Sequence, residues 1–127
     1  MPTHTLTLTY ASGSEQLRTP VAMTADAEDN RDIAMAAGAG PTEVALVIDI
    51  SQLKSIYIQT DVAGTIKTNS SGAPQETITL AAGGVWQWNY LSGITLPFAG
   101  DITKIFITST DAANGTFKIR CLIDATV

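Results

Sequence analysis

Three large aromatic residues, Trp86, Trp88 and Tyr90, stand at alternate positions in the segment VWQWNY. In an extended strand a period of two turns all three to one face. Such a row has two uses. It plugs a hydrophobic core, where aromatics dominate the packing, or it stays open as a platform for a sugar ring or a protein partner. In the open case Gln87 and Asn89 stand beside the rings and help fix hydroxyl groups. The spacing leaves both readings open.

The acidic residues suggest a second chemistry. Asp26, Glu28, Asp29 and Asp32 crowd four carboxylates into the segment DAEDNRD. Hard cations such as calcium take oxygen ligands of this kind, but the segment lacks the glycine and the terminal glutamate of an EF-hand loop. A solvated acidic turn is therefore expected. Asp49, Asp61, Glu76, Asp101 and Asp111 are spread along the chain. A pair of them would suit glycoside hydrolysis if the fold brought it together, yet most fall in turn segments, where capping is the commoner duty.

Nucleophilic catalysis has little to work with. His4 is the single histidine, near the chain start, with no identifiable residue to orient it, so a Ser-His-Asp site is not expected. Cys121 alternates with Ile119 and Ile123 and is expected to be an inert, buried thiol. One cysteine and one histidine give neither an internal disulfide nor a zinc cluster. The Gly38-Ala39-Gly40 and Gly83-Gly84 segments lack the Lys-Ser/Thr that follows a phosphate cradle, and read as turns. The residues point to no cofactor and no metal, and the chain is expected not to be an enzyme.

The elements that must carry these residues are legible in composition and period. The 127 residues are 45% hydrophobic and only 15% charged, with a formal net charge of −5. That size suits one domain with a core of its own. Polarity comes from hydroxyls, since 18 of the residues are threonine, a β-branched type that suits a pleated surface. The seven Lys and Arg are scattered singly, so no basic stripe marks a nucleic-acid partner. No apolar run approaches the roughly 20 residues of a membrane span. The opening MPTHTLTLTY has neither a basic n-region nor an apolar h-region, so synthesis in the cytoplasm is expected.

Along the chain, Leu6, Leu8 and Tyr10 alternate with threonines and run into Ala11-Ser12-Gly13-Ser14, a half-buried strand ending in a turn. Residues 15–23 carry Pro20 and read as an edge strand or an irregular arm. For residues 25–37 the reading is an acidic turn at 26–30 and a short strand at 32–36. Residues 44–50 are apolar on both faces and predict a central strand. Further strands are expected over 55–60, 65–68, 76–81, 85–90, 102–110 and 116–124, the last two joined by a turn with Asn114-Gly115. About eight to ten short strands without a fixed repeat predict an all-β chain: one antiparallel β-sandwich over 1–127, jelly-roll-like, with 1–20 as an extended arm or edge strand.

The segment TNSSGAPQETITLAAGGVWQW, preceded by SQLKSIYIQTD and closed by GTFKIRCLIDAT, resembles small accessory virion proteins of tailed bacteriophages. The resemblance spans the last two-thirds of the chain and rests on pattern. It implies a capsid decoration or cement protein on the outer surface of the phage head, bound to the major capsid protein and to copies of itself. It carries over no catalytic residue, and the N-terminal third has no counterpart in it. Three functions follow as expectations. The first is a non-enzymatic virion structural protein that docks through edge strands, the N-terminal arm or the Trp86, Trp88 and Tyr90 face. The second is a lectin-like carbohydrate-binding module using those aromatics. The third is another virion position, such as tail tube, neck or fibre base.

Overall fold

The computed structural model describes residues 1–125, as ten strands and one short 3₁₀ turn with no α-helix among them. Thr126 and Val127, part of the single-domain expectation, lie outside the described residues, as does the end of the GTFKIRCLIDAT segment. The strands are β1 (Thr3–Ser12), β2 (Glu15–Thr24), β3 (Ala27–Met35), β4 (Thr42–Val44), β5 (Leu53–Thr60), β6 (Gly64–Thr68), β7 (Thr77–Leu80), β8 (Val85–Asn89), β9 (Ile105–Ser109) and β10 (Gly115–Ile123). Two four-stranded sheets run in the orders β3-β10-β5-β8 and β4-β9-β6-β7. Every pairing is antiparallel, and β1 and β2 form a two-stranded sheet of their own.

The alternation along the strands builds the core. Phe117, Ile119 and Cys121 of β10 and Ile56 and Ile58 of β5 turn inward from one sheet. Ile66, Ile78, Leu80, Ile105 and Ile107 meet them from the other. Packing two inner faces over one apolar layer defines a β-sandwich. The pairing is nested: β3 lies beside β10, β4 beside β9, β5 beside β8 and β6 beside β7. That winding is compatible with the jelly-roll expectation. At Gly64 the two sheets approach so closely that a Cβ would meet the Thr108 carbonyl and the Phe117 ring.

Three segments differ from their sequence reading. Residues 26–30 are not a turn, because β3 runs unbroken from Ala27 to Met35 as an edge strand against β10. An edge strand can hold charged side chains at the water boundary, so its three carboxylates do not break it, and Asp26 lies just ahead of it. Residues 44–50 are not a central strand. The ladder stops at Val44, resumes only as a bridge between Ile48 and Ile102, and leaves Val47 70% exposed. Leu46 and Ile48 are buried by packing from an extended segment instead of by a ladder on both sides. Residues 1–20 hold β1 and most of β2, both edge strands of a hairpin that continues to Thr24, but the row expected to be half-buried leaves Leu8 50% and Tyr10 63% exposed, because only the base of the hairpin meets the sandwich.

Candidate functional site

The aromatic row divides. Trp88 is 8% exposed, sits in the core, and donates its indole N–H to the Ile94 carbonyl at 2.8 Å. Trp86 shares that inward face and packs edge-on against Phe98, with ring centroids 5.7 Å apart. Tyr90 lies one residue past the end of β8 and is exposed. Its backbone N–H donates to the Lys54 carbonyl, and the Lys54 ammonium lies 5.2 Å from its ring. That backbone bond continues the register that sets Ile56 opposite Trp88, and the three aromatics differ in burial: Trp88 is buried, Trp86 partly buried and Tyr90 exposed, while the Asn89 amide donates to Gln87 Oε1.

Each carboxylate of the acidic segment has a different partner. Asp26 accepts the backbone N–H of Ala125, Asp29 accepts two bonds from Arg31, and Asp32 meets Arg120 at 2.8 Å. Glu28 lies 2.7 Å from His4 Nε2, and that hydrogen bond holds its carboxyl below the usual glutamate range. His4 thus has the orienting carboxylate that its sequence position did not reveal. Among the described residues no group of three His, Cys, Asp or Glu is placed to hold a metal ion.

The scattered carboxylates tie loops. Asp49 accepts from the Ser51 backbone and hydroxyl, Asp101 from Ile50 N, and Asp61 from Thr116 N. Glu76 accepts from the Thr68 hydroxyl and from Ala99 N. Asp111 accepts from Ala63 N and Ala113 N, bonds that lower its pKa. Cys121 is fully buried, and the loss of water around it pushes its thiol pKa up to about 12.

The feature that stands apart from the sandwich is the β1-β2 hairpin. Gly13, first of its two loop residues, has φ +59°, the conformation that a type II′ turn requires at that place. The register sets Leu6 opposite Val21 and Tyr10 opposite Leu17, so an apolar face runs the length of the hairpin. On the other face Thr3, Thr5, Thr7 and Thr9 stand opposite Thr24, Ala22, Pro20 and Arg18, and Thr3 and Thr24 share a hydroxyl hydrogen bond of 2.8 Å. Only the base is anchored. Leu6, Val21, Met23 and Ala25 pack on Leu122, which lies on the outer face of β10 and is 0% exposed. The His4–Glu28 contact adds a second tie to β3.

Beyond that base the hairpin is free. Every residue from Thr7 to Pro20 is exposed, including Leu8, Tyr10 at 63% and Leu17 at 57%. A cleft of about 600 Å³ separates β1 from the outer face of the sheet, bounded by His4 to Thr9 on one side and by Tyr57, Val85 and Gln87 on the other. Its titratable groups are already engaged: Tyr57 donates to Gln59, Arg120 to Asp32 and two carbonyls, and His4 meets Glu28. The cleft offers shape and strand edge for binding. The sequence showed the Leu6, Leu8, Tyr10 row, but nothing in it showed that Leu17 and Val21 would lie beside that row.

No protein-family model and no curated protein matches the sequence. Among solved structures the chain is similar to a protein of Bacillus endospore appendages, described as a novel family of disulfide-linked pili. The identity is 19%, the match covers 75% of this chain and 83% of that one, and the TM-score is 0.41. A likeness that distant says nothing about function.

Proposed function

We propose that this chain is a non-enzymatic structural protein of a bacteriophage virion, a capsid decoration or cement protein that grips the major capsid protein from outside the head. The observation that carries this reading is the projecting hairpin, whose outer half leaves Leu8, Tyr10 and Leu17 in water. Burying an aliphatic or aromatic side chain of that size on a partner gains about 1.5–3 kcal/mol, so the hairpin is an arm suited to holding a neighbour. The resemblance of residues 68–88 to accessory virion proteins supplies the kind of neighbour. The sandwich beneath, with its carboxylates spent on loop closure, acts as a rigid mount.

The carbohydrate-binding reading needs an open aromatic face, and with Trp88 buried and Trp86 partly covered against Phe98 it has less to rest on than the hairpin reading. Tail tube, neck and fibre base would use the same arm. Co-sedimentation with mature capsid shells stripped of accessory proteins tests the proposal, with a soluble glycan panel as competitor. Saturable binding that glycans leave intact and that a Leu8→Ser, Tyr10→Ser, Leu17→Ser variant loses is the expected result. Absence of binding to shells overturns the head position.

A further inference from the structure

We infer that the free edge of β1 pairs with the same edge of a second copy, joining two hairpins into one four-stranded antiparallel sheet across a two-fold axis at Thr7. The inference rests on the hairpin being an association arm and names what one edge of that arm takes.

The edges of the fold are not alike. β3 carries Glu28, Asp29, Arg31 and Asp32, while β2 carries Pro20 and Arg18. The remaining sandwich edges, β4, β7 and β8, are three, four and five residues long. Charges, prolines and shortness are the devices that keep sheet edges from pairing. β1 has none of them: it is ten residues long, with no proline and no Asp, Glu, Lys or Arg. Among the described residues it is paired with β2 alone, and the 600 Å³ cleft runs along its other side.

Which groups face that cleft follows from the turn. In a two-residue hairpin the closing pair, Ser12 and Glu15, is hydrogen-bonded, and bonded and non-bonded pairs then alternate. Thr7 and Pro20 fall on a non-bonded pair, which is where a residue lacking an N–H fits. The backbone groups of Thr3, Thr5, Thr7 and Thr9 therefore point outward, toward the cleft.

The occupant is set by the symmetry of the strand itself. Read outward from Thr7 in both directions, β1 runs Leu6 and Leu8, Thr5 and Thr9, then His4 and Tyr10. An antiparallel pair centred on Thr7 places leucine against leucine and threonine against threonine. Its hydrogen-bonded pairs are those of the outward-facing threonines, so the parity is satisfied. The axis of such a pair stands normal to the sheet, and both apolar faces fall on one side. Each exposed tip, with Leu8, Tyr10 and Leu17, is thereby carried over the second copy. No charge opposes a like charge in this register.

A Thr7→Cys variant of the full chain, treated with a short bis-maleimide, tests the pairing, since directly opposite bonded residues have Cα atoms about 5.5 Å apart, a span the linker bridges without the side-chain geometry of a disulfide. Cys121, being buried, does not compete. The expected result is a covalent species of twice the 13.3 kDa chain mass, with Arg18→Cys on the opposite edge giving none. Sedimentation of the unmodified chain should show the same doubled mass, reduced to one chain by Thr7→Pro. If Thr7→Pro does not fold, Thr5→Lys with Thr9→Lys replaces it. A chain that stays single and is not cross-linked overturns the pairing, and shell co-sedimentation then judges the decoration reading independently. Cross-linking of the Thr7→Cys variant to a shell subunit in place of a second copy also overturns it.

Discussion

The indole N–H of Trp88 donates to the backbone carbonyl of Ile94, so the largest ring at the end of the core also fastens the loop that follows β8. Replacing Trp88 with Phe keeps an apolar ring but shrinks it and orphans the Ile94 carbonyl. The expected loss is about 1–3 kcal/mol, from the lost hydrogen bond and the void together. Thermal unfolding checks the size. The fluorescence of the unaltered chain should respond weakly to glycans, and strong quenching by a sugar would contradict the buried placement.

The exposed tip of the hairpin should tolerate change. Leu8, Tyr10 and Leu17 contact little within the described chain, so the triple serine variant is expected to keep its unfolding free energy within about 0.5 kcal/mol per site. Leu6→Ser, by contrast, cuts into the cluster with Leu122 and should free the whole hairpin. Amide exchange separates the two: protection in β1 and β2 survives the first change and is lost with the second.

These contrasts show how far the sequence can be read. The period of two locates β5, β7 and β10, because each buries one face and exposes or covers the other, and it locates β1 as well, although most of that strand's apolar row stays in water. The same signal misleads at residues 44–50, where an extended segment packing Leu46 and Ile48 inward has the period of a strand without its ladder. It fails in a different way at β3, whose charges suggest a turn because an edge position cannot be read from local sequence. In the aromatic row the period puts Trp86 and Trp88 on one inward face, as the structure does. How deeply each ring is covered is decided by its neighbours, which bury Trp88 and leave Tyr90, one residue past the strand end, exposed. The arm is half legible, since Leu6, Leu8 and Tyr10 are adjacent in sequence while their partners Val21 and Leu17 are set by the hairpin register.

Acid should loosen the base of the hairpin. The hydrogen bond with His4 lowers the pKa of Glu28, and bonds from Ala63 and Ala113 lower that of Asp111. A carboxyl whose folded pKa is depressed stabilises the fold above its unfolded pKa and loses that contribution as the pH falls through the folded value. Stability is thus expected to be level on the neutral side of the carboxylate range and to decline below it. Glu28→Gln should flatten part of the decline, measured as hairpin amide exchange against pH; an unchanged profile would remove Glu28 from the account.

Cys121 offers a probe of global unfolding. With its side chain 0% exposed and its pKa pushed up to about 12, almost no thiolate exists at neutral pH. Labelling by a maleimide should therefore follow the opening of the sandwich and accelerate with denaturant in step with the loss of β-sheet signal. Rapid labelling of the native chain would mean that β10 opens locally.

Among the described residues Asn69 is the non-glycine residue held at positive φ, +67°, and its side chain serves three residues. The amide donates to Gln75 and to the Asp101 carbonyl, and its oxygen accepts from the backbone and hydroxyl of Thr103. Asn69→Ala loses all of these and keeps the left-handed strain, for an expected cost of about 2 kcal/mol after water replaces part of the bonding. Asn69→Gly loses the same bonds without the strain and should recover about 1 kcal/mol of that. Denaturant unfolding of the two variants separates the contributions. Equal midpoints would mean that the backbone at residue 69 relaxes once the side chain is gone, and that the hydrogen bonds alone hold the loop in its left-handed turn.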